Sequence, residues 1–307
     1  MPTISRYFLQ WIRRAIGSQQ IVDILRADQK LEEQVIRLTN EKALSMNAVV
    51  VQTVLCSSPE SWFECVFNGV RAWLPRHTLR LMVRGMKGHV DGPFEIEAEL
   101  PHTNWLLSNS QPGRIFLDVG AATGTMSLPI ALRLPQVKGI AFEPSRTANR
   151  VLRSTLERNR VTSVEVFDCA ISDEAGTASF NEMGFDPTGE NHFMPEVSAL
   201  AHSTETHPLQ IDKYDVPVTT LDAFFAQRGD ARLVRSVKID VEGFETKVLL
   251  GASELLRTAR PFLAIDIHAN PFADGTTERD VRAILEALHY RFETMKHVLL
   301  CYPPNAS

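Results

Sequence analysis

The chain has 307 residues, 44% hydrophobic and 22% charged, as expected of one large globular domain with an extension or of two modest domains. A formal net charge of −5 gives no general attraction to nucleic acid or to an anionic membrane surface. No apolar run approaches the ~20 residues that span a bilayer, and polar residues interrupt the N-terminal stretch where a secretory signal would lie, so a cytoplasmic protein without nucleic-acid partners is expected.

Residues 1–45 are predicted to form a helical N-terminal extension. Apolar side chains recur at spacings of three and four from Ile4 to Ile16, and a second stripe near heptad spacing runs from Ile21 to Leu38. Three interpretations stay open. The helices could pack on their own domain, form a short coiled coil that makes a homodimer, or lie in weak peripheral contact with a membrane.

Residues 46–111 are predicted to be a small α+β segment that precedes the main domain. Apolar and polar residues alternate from Thr78 to Leu100, most cleanly from Phe94 onward, where glutamates separate the apolar positions. Glycines between the two halves of this stretch supply turns. The pattern predicts a small antiparallel β unit.

Residues 112–307 are predicted to form the main domain, in which strands and helices alternate. The predicted strands are Ile115–Val119, Gly139–Glu143, Val164–Asp168, Ser236–Val241 and Phe262–His268. The predicted helices are Met126–Leu134, Thr147–Asn159, Phe244–Leu256 and Arg279–Leu288. The last two segments, Tyr290–Met295 and His297–Tyr302, look like a hairpin that closes one sheet edge. The pattern predicts an α/β fold with a doubly wound, mostly parallel sheet of seven strands.

The four cysteines are too widely spaced for a zinc site or a disulfide framework, so reduced thiols are expected. They are Cys56, Cys65, Cys169 and Cys301.

The first strand of the main domain leads into a loop of small residues from Asp118 to Gly124. Small residues let the backbone turn sharply and let a ligand approach the next helix. A dinucleotide-binding loop would carry a third glycine to seat a pyrophosphate, whereas this loop begins with an acid. It therefore suits a cationic ligand such as S-adenosylmethionine, which has a sulfonium and an ammonium but no phosphate.

Acids also follow the second and third strands. Glu143, about 20 residues after the loop, is placed to accept both ribose hydroxyls of a nucleoside. Nicotinamide enzymes use an acid in the same way, so Glu143 indicates a nucleoside without naming it. Asp168 could accept a hydrogen bond from the exocyclic amine of adenine, or it could simply form a turn.

The fourth and fifth strands end in a group of ionisable side chains. Asp240 and Glu242 lie at and just beyond the end of the fourth strand, and His268 ends the fifth. Together they could orient and deprotonate an acceptor hydroxyl, or hold a hard divalent cation through oxygen ligands. The alternative is that Glu242 caps a helix and His268 is structural. No residue is assigned as a metal ligand.

These motifs, in this order, resemble the FkbM-type family of S-adenosylmethionine-dependent methyltransferases. The resemblance covers roughly Leu100 to Tyr290. Its strongest blocks are Phe116–Ala121, Ala141–Ser145, Cys169–Asp173, Val218–Asp222 and Lys238–Glu245. It implies a Rossmann-like methyltransferase fold and methylation of an oxygen nucleophile, commonly a hydroxyl on a sugar, glycan or polyketide product.

The resemblance also implies a role for each motif residue. Asp118, Gly120 and Gly124 would hold the methionine part of the donor, Glu143 the ribose and Asp168 the adenine. Ala121, Ser145, Cys169 and Asp240 complete the expected donor-binding set. Asp240, Glu242 and His268 would face the acceptor, with His268 or Asp240 taking its proton and Glu242 orienting it. Ala122 departs from the family, which more often has asparagine there.

Two other functions remain open, a nicotinamide-dependent oxidoreductase and a non-catalytic binding module with a methyltransferase-like fold. The polar insertion from Asn181 to Asp215 is predicted to be a lid over the substrate, because loops of this length are usually functional or disordered.

Overall fold

The computed structural model describes residues 46–58, 60–82, 86–87, 93–97, 100–183, 199–200, 210–268 and 277–304. The predicted N-terminal helices, and with them the expected homodimer and membrane contact, lie outside the described residues. By backbone contacts the chain divides into two compact units, Met1–Leu100 and Pro101–Ser307. Within the described ranges no helix has the length and apolar character to cross a membrane.

The described part of the first unit consists of a four-stranded sheet and two short helices. Its elements are α1 (Met46–Cys56), β1 (Trp62–Phe67), β2 (Val70–Pro75), α2 (Arg76–Leu81), β3 (Met86–Lys87) and β4 (Glu95–Ile96). The strand order is β2-β1-β4-β3, with β1 parallel to β4 and the other pairs antiparallel. Asn68 and Gly69 connect β1 to β2 with φ of 46° and 81°, the left-handed pair that a two-residue hairpin turn requires.

The alternation predicted from Thr78 is wrong in its first part, because residues 76–81 form α2. Thr78, Leu79 and Met82 are buried, and their spacings of three and four place them on one side of a helix. A run of six residues fits the two-residue period of a strand as well as the 3.6-residue period of a helix. Pro75 ends the preceding strand and is the N-cap of α2. The second part is confirmed, since β3 and β4 pair antiparallel and Phe94 and Ile96 are buried.

The second unit contains the main sheet and the helices that cover it. Its first elements are α3 (Leu100–Asn109), β5 (Ile115–Val119), α4 (Ser127–Arg133), β6 (Lys138–Phe142), α5 (Arg146–Arg158), β7 (Val164–Phe167), β8 (Ala170–Ile171), β9 (Gly176–Met183), β10 (Ala199–Leu200) and β11 (Gln210–Thr219). They are followed by α6 (Leu221–Arg228), a 3-10 turn (Ala231–Leu233), β12 (Val234–Ile239), α7 (Glu245–Leu250), α8 (Ser253–Thr258), β13 (Phe262–Asp266), α9 (Glu278–Glu286), β14 (Arg291–Met295) and β15 (Val298–Tyr302).

The predicted seven-stranded sheet is confirmed, with the order β14-β15-β13-β12-β5-β6-β7. Five neighbouring strands from β13 to β7 are parallel, and the β14–β15 hairpin closes one edge antiparallel. Successive side chains of β5 point to opposite faces of the sheet and pack in two different hydrophobic cores. Leu117 packs with side chains of α6, α7, α8 and α9, whereas Phe116 packs with side chains of α3 and α4. Helices therefore cover both faces of the sheet, as in a doubly wound fold.

The strand order creates a crevice between β5 and β12. The chain runs from β5 to β6 on one side, whereas β12 lies on the other side, so the order reverses between these two strands. Open α/β sheets bind ligands at such a reversal, beyond the carboxyl ends of the strands. Gly120 and Asp240, which directly follow β5 and β12, therefore lie at the expected binding edge.

Two predictions for the second unit need correction. The helix predicted over Phe244–Leu256 is two helices, α7 and α8, which break at Gly251. A Cβ on Gly251 would lie 2.0 Å from the Ser172 carbonyl oxygen, so the chain here packs against a neighbouring loop. The described ends of the insertion are also strands, because β9 and β11 pair antiparallel in a side sheet of order β10-β9-β11-β8. Residues 184–198 and 201–209 lie outside the described residues, and the lid stays a prediction.

Candidate active site

The loop after β5 is pressed against the end of β12. Gly120 and Gly124 have φ of 75° and 88°, which strongly favours glycine. A Cβ on Gly120 would lie 1.9 Å from the Asp240 carbonyl oxygen, and a Cβ on Gly124 would lie 2.5 Å from Leu152 Cδ1. The N–H groups of Gly120 and Ala121 both donate to the Phe142 carbonyl at 3.0 Å. The backbone therefore runs along the crevice with no room for side chains at these glycines.

Glu143 lies directly after β6 and faces this loop. Its Oε2 accepts from Ala122 N at 2.7 Å, and its Oε1 accepts from Ser145 N at 2.7 Å. Burial raises the pKa of Glu143 to about 7, against the opposing effect of these two hydrogen bonds. Ala122 holds its amide toward Glu143 with φ of 47°, a conformation in which asparagine is several-fold enriched.

Lys238, on β12, joins two of the predicted carboxylates. Its Nζ lies 3.2 Å from Asp240 Oδ2, 3.5 Å from Asp118 Oδ1 and 2.5 Å from the Gly120 carbonyl oxygen. Asp118 is completely buried and accepts from Ser127 Oγ at 2.6 Å, while its Oδ1 has no hydrogen-bond partner among the described residues. No role for Lys238 was predicted from the sequence. The available signal was a lysine two residues before Asp240, at the end of a predicted strand.

His268 lies among four carboxylates from the ends of β12, α7 and β13. Its Nδ1 is 3.6 Å from Asp240 Oδ1 and 3.8 Å from Glu245 Oε1, and its Nε2 is 3.9 Å from both Glu242 Oε1 and Asp266 Oδ1. Interaction with Glu245 first, and then with the other three acids, raises the pKa of His268 to about 10 although burial opposes the shift. The imidazole is therefore a cation at neutral pH.

Two of these four acids were not assigned to the site from the sequence. Glu245, at the start of α7, is completely buried and accepts from Gly243 N at 2.9 Å. Asp266 ends β13 and also lies 3.1 Å from His297 Nε2, and burial and Asp240 raise its pKa. Asp266 could have been predicted as a site residue, because it is an acid near the end of the fifth predicted strand.

The predicted site residues thus form two groups on either side of the glycine loop. Asp118, Asp240, Glu242 and His268 belong to one group, connected through Lys238 and His268. Glu143 and Ser145 form the other, linked to the loop through Ala122.

Asp168 and Cys169 follow β7, the neighbour of β6 at the sheet edge. Asp168 is exposed and Cys169 is half-buried. Burial raises the pKa of the Cys169 thiol to about 11, so it is not an activated nucleophile. All four cysteines are free thiols, as predicted.

This geometry can perform two kinds of chemistry. The carboxylates beside the loop can bind a cationic or hydroxylated ligand and accept a proton from it. Asp240, Asp266 and His268 each also offer one ligand atom, and these three atoms lie within 4.8 Å of one another, close enough to surround a divalent cation.

Comparisons with known proteins indicate similarity to methyltransferases. A family model described as the methyltransferase FkbM domain matches residues 118–292. The chain is 27% identical over 201 residues to AMB antimetabolite synthetase AmbE from Pseudomonas aeruginosa, a match that covers 58% of the chain and 9% of that protein. It is 29% identical over 166 residues to methyltransferase sdnD from Sordaria araneosa, covering 48% of the chain and 64% of that protein. The matches thus span less than two thirds of either curated relative.

Among solved structures, methyltransferase FkbM from Methylobacillus flagellatus KT is similar with a TM-score of 0.41 and 14% identity. That similarity covers 83% of the chain and 59% of the other protein.

Proposed function

The chain belongs to the family of methyltransferases with an FkbM domain, and we propose that it transfers a methyl group from S-adenosylmethionine to a hydroxyl oxygen of a small acceptor. The acceptor hydroxyl would lie on a sugar, a glycan or a secondary metabolite. The observation that carries this proposal is the convergence of Asp240, Glu242 and His268 beside the glycine loop, at the point where the strand order reverses.

The residues around the loop fit the proposed donor. The carboxylates beside the loop outnumber the cations Lys238 and His268, in keeping with a cationic methionine group nearby. In this proposal the methionine part lies along the loop, Glu143 accepts the ribose hydroxyls, and Asp168 and Cys169 border the adenine. S-adenosylmethionine supplies a methyl group that its sulfonium has already activated. The protein's contribution is then alignment and the exclusion of water, and alignment alone can contribute about 7–11 kcal/mol.

Charge decides which side chain takes the acceptor's proton. A cationic His268 has no lone pair to accept it, because its pKa is raised to about 10. We therefore assign proton acceptance to the Asp240 carboxylate, and the orientation of the acceptor hydroxyl to Glu242. The imidazolium keeps the neighbouring carboxylates close together in spite of their mutual repulsion. A positioned base of this kind adds about 10²–10⁴-fold to the rate.

The positive charge on His268 also affects whether the site can bind a divalent cation. A metal ligand must be a neutral imidazole, so a proton and a metal ion compete for His268. The four surrounding carboxylates attract either cation, and they raise the pKa of His268 to about 10, so a metal ion would have to displace a firmly held proton. We propose that catalysis proceeds with His268 protonated and without a bound cation. Activity should then survive treatment with EDTA, whereas loss of activity that Mg²⁺ or Mn²⁺ restores would contradict this part of the proposal.

The decisive experiment uses the full chain. Calorimetry with S-adenosylmethionine and with NAD tests the donor, and methyl-labelled donor with a panel of sugars, lipid-linked glycans and secondary metabolites tests the acceptor. Binding of the donor but not of NAD, with label on an acceptor oxygen by mass spectrometry, is the expected result. Binding of NAD would favour the oxidoreductase. Donor binding without transfer to any acceptor would favour a non-catalytic module.

Asp240→Asn tests the assigned base. It should reduce kcat by about 10²-fold or more. Glu165→Gln is the matched control, since Glu165 lies on β7 and forms ion pairs with Lys138 and Arg228. Equal activity of both variants would contradict the assignment.

A further inference from the structure

Helix α5 begins at its N-cap, Ser145, two residues after Glu143, and all four amides that its first turn leaves free are hydrogen-bonded. Side chains on the side sheet accept two of them: Arg146 N donates to the Tyr214 hydroxyl at 2.9 Å, and Thr147 N donates to Glu182 Oε1 at 3.1 Å. Ser145 takes part in the other two bonds, because its Oγ accepts from Ala148 N and its own N–H donates to Glu143 Oε1 at 2.7 Å. Helix N-termini leave four such amides without intrahelical partners, so this end is fully capped.

Glu182, on β9, is the centre of this arrangement. Only 7% of the residue is exposed, and its carboxylate also accepts from Ser145 Oγ at 2.9 Å and from the Tyr214 hydroxyl at 2.6 Å. Burial alone would raise the pKa of Glu182, but hydrogen bonds from Thr147, Tyr214 and Ser145 together lower it. Glu182 is therefore a buried carboxylate held by charge-assisted hydrogen bonds, which are about twice as strong as neutral ones.

Tyr214, on β11, is fixed from two directions. Its hydroxyl donates to Glu182 and accepts from Arg146 N, and the Arg146 guanidinium lies 3.9 Å from the centre of its ring. Burial and the hydrogen bond to Glu182 raise the pKa of Tyr214, so it stays a neutral donor. The two strands that carry Glu182 and Tyr214 pair with each other, which makes the pair one rigid unit.

Ser145 connects this pair to the proposed ribose site. Its backbone N–H donates to Glu143 Oε1 at 2.7 Å, while its side chain donates to Glu182. Any shift of Glu182 or Tyr214 moves the Ser145 turn, and with it one of the two hydrogen bonds that aim the Glu143 carboxylate. Neither residue was predicted from the sequence, since both lie in the insertion and are more than 30 positions from Ser145.

We propose that Glu182 and Tyr214 are positioning residues that set the Glu143 carboxylate for recognition of the ribose hydroxyls of the donor. We call this pair the latch. The inference rests on the proposed function, because it assumes that the ligand is a nucleoside. Hydrogen bonds to a carboxylate lose strength when their geometry shifts, so loss of the latch weakens ribose recognition in particular. Contacts to the rest of the donor are unaffected.

The test compares two ligands on the full chain. S-adenosylhomocysteine and its 2′,3′-dideoxy analogue differ only in the ribose hydroxyls, so the ratio of their Kd values isolates ribose recognition. The unmodified protein should prefer the hydroxylated ligand by roughly tenfold or more. Glu182→Gln and Tyr214→Phe should each reduce that preference several-fold, and Tyr214→Phe removes a single hydroxyl should Glu182→Gln fail to fold.

Tyr302→Phe is the matched control, since the Tyr302 hydroxyl also bridges two side chains, Trp105 and Glu293, but lies on β15. It should leave the preference unchanged. A latch variant that weakens both ligands equally has only a structural role, and that outcome overturns the inference while leaving the proposed function intact. An unmodified protein that binds neither ligand overturns the proposed function together with the inference.

Discussion

His268 carries a positive charge in a site that otherwise gathers carboxylates. Its pKa of about 10 in the folded protein lies well above the ordinary value of 6.5. A raised folded-state pKa means that the protonated side chain stabilises the fold fully below pH 6.5. This contribution declines above that pH and is lost as the pH rises through about 10.

His268→Asn should therefore lower the free energy of unfolding most near pH 6 and least near pH 10. Since about a third of the His268 side chain is exposed, we expect a loss of roughly 1–2 kcal/mol at pH 6 after solvent screening. Urea unfolding at pH 6, 8 and 10 measures it. His289→Asn is the control, because His289 is exposed and its φ of 62° tolerates asparagine. A loss that does not change with pH would contradict the assigned charge.

Glu143 should make donor affinity depend on pH. Burial raises its pKa to about 7, so the carboxylate that would accept the ribose hydroxyls is largely protonated at pH 6 and largely ionised at pH 8. The affinity for S-adenosylhomocysteine should rise between these values by up to about tenfold.

Glu143→Gln should abolish this rise, because an amide does not titrate. Calorimetry in buffers of matched ionisation enthalpy measures both proteins. The dideoxy ligand is the internal control, since it has no hydroxyls to offer. The same rise for the dideoxy ligand would remove Glu143 as its cause.

At the scale of elements, two glycine variants separate the stability cost of crowding between the glycine loop and β12 from the cost of backbone strain alone. Gly120 and Gly229 both have φ of 75°, but a Cβ on Gly229 meets nothing within 4 Å, whereas a Cβ on Gly120 meets the Asp240 carbonyl oxygen. Gly229→Ala should cost about 1–2 kcal/mol of stability from conformation alone.

Gly120→Ala should cost about 1–3 kcal/mol more, because the added methyl forces β5 and β12 apart. Thermal unfolding of the two variants gives the difference directly. Equal losses would mean that the loop does not pack closely on β12, and the crevice described above would then be wrong.

The elements that could be predicted from the sequence are those with strong local patterns. Four of the five parallel strands, β5, β6, β12 and β13, are followed in the chain by a helix of the main domain, and this alternation indicated both the type and the order of the elements. The acids after those strands were equally visible, because parallel strands bring consecutive strand ends to one edge. Asp118, Glu143 and Asp240 needed no knowledge of distant contacts.

The elements that escaped prediction lack a local pattern or depend on distant contacts. Helix α2 has only six residues, too few to separate a period of two from one of 3.6. The Asn68-Gly69 turn between β1 and β2 did carry a local signal, since this dipeptide favours a hairpin, but it was overlooked. Lys238, Glu182 and Tyr214 act across the fold, and a single sequence does not show which residues they meet.

At the scale of the whole molecule, every candidate site residue lies in the unit Pro101–Ser307, which also contains the region that matches the family. Ligand that binds only the folded state stabilises it by mass action, by about 2.7 kcal/mol at a hundred times its Kd. The first unit holds none of the residues assigned to the donor or the acceptor.

Hydrogen exchange with saturating S-adenosylhomocysteine should therefore protect two regions of the second unit. These are residues 118–145, which hold the glycine loop and Glu143, and residues 238–245, which follow β12. Amides in β1 and β2 of the first unit should exchange at an unchanged rate, because they belong to a separate compact unit. Mass spectrometry of peptides from the full chain, with and without ligand, measures both regions together. Protection confined to β1 and β2 would place the nucleoside in the first unit and contradict the site built from the strand ends.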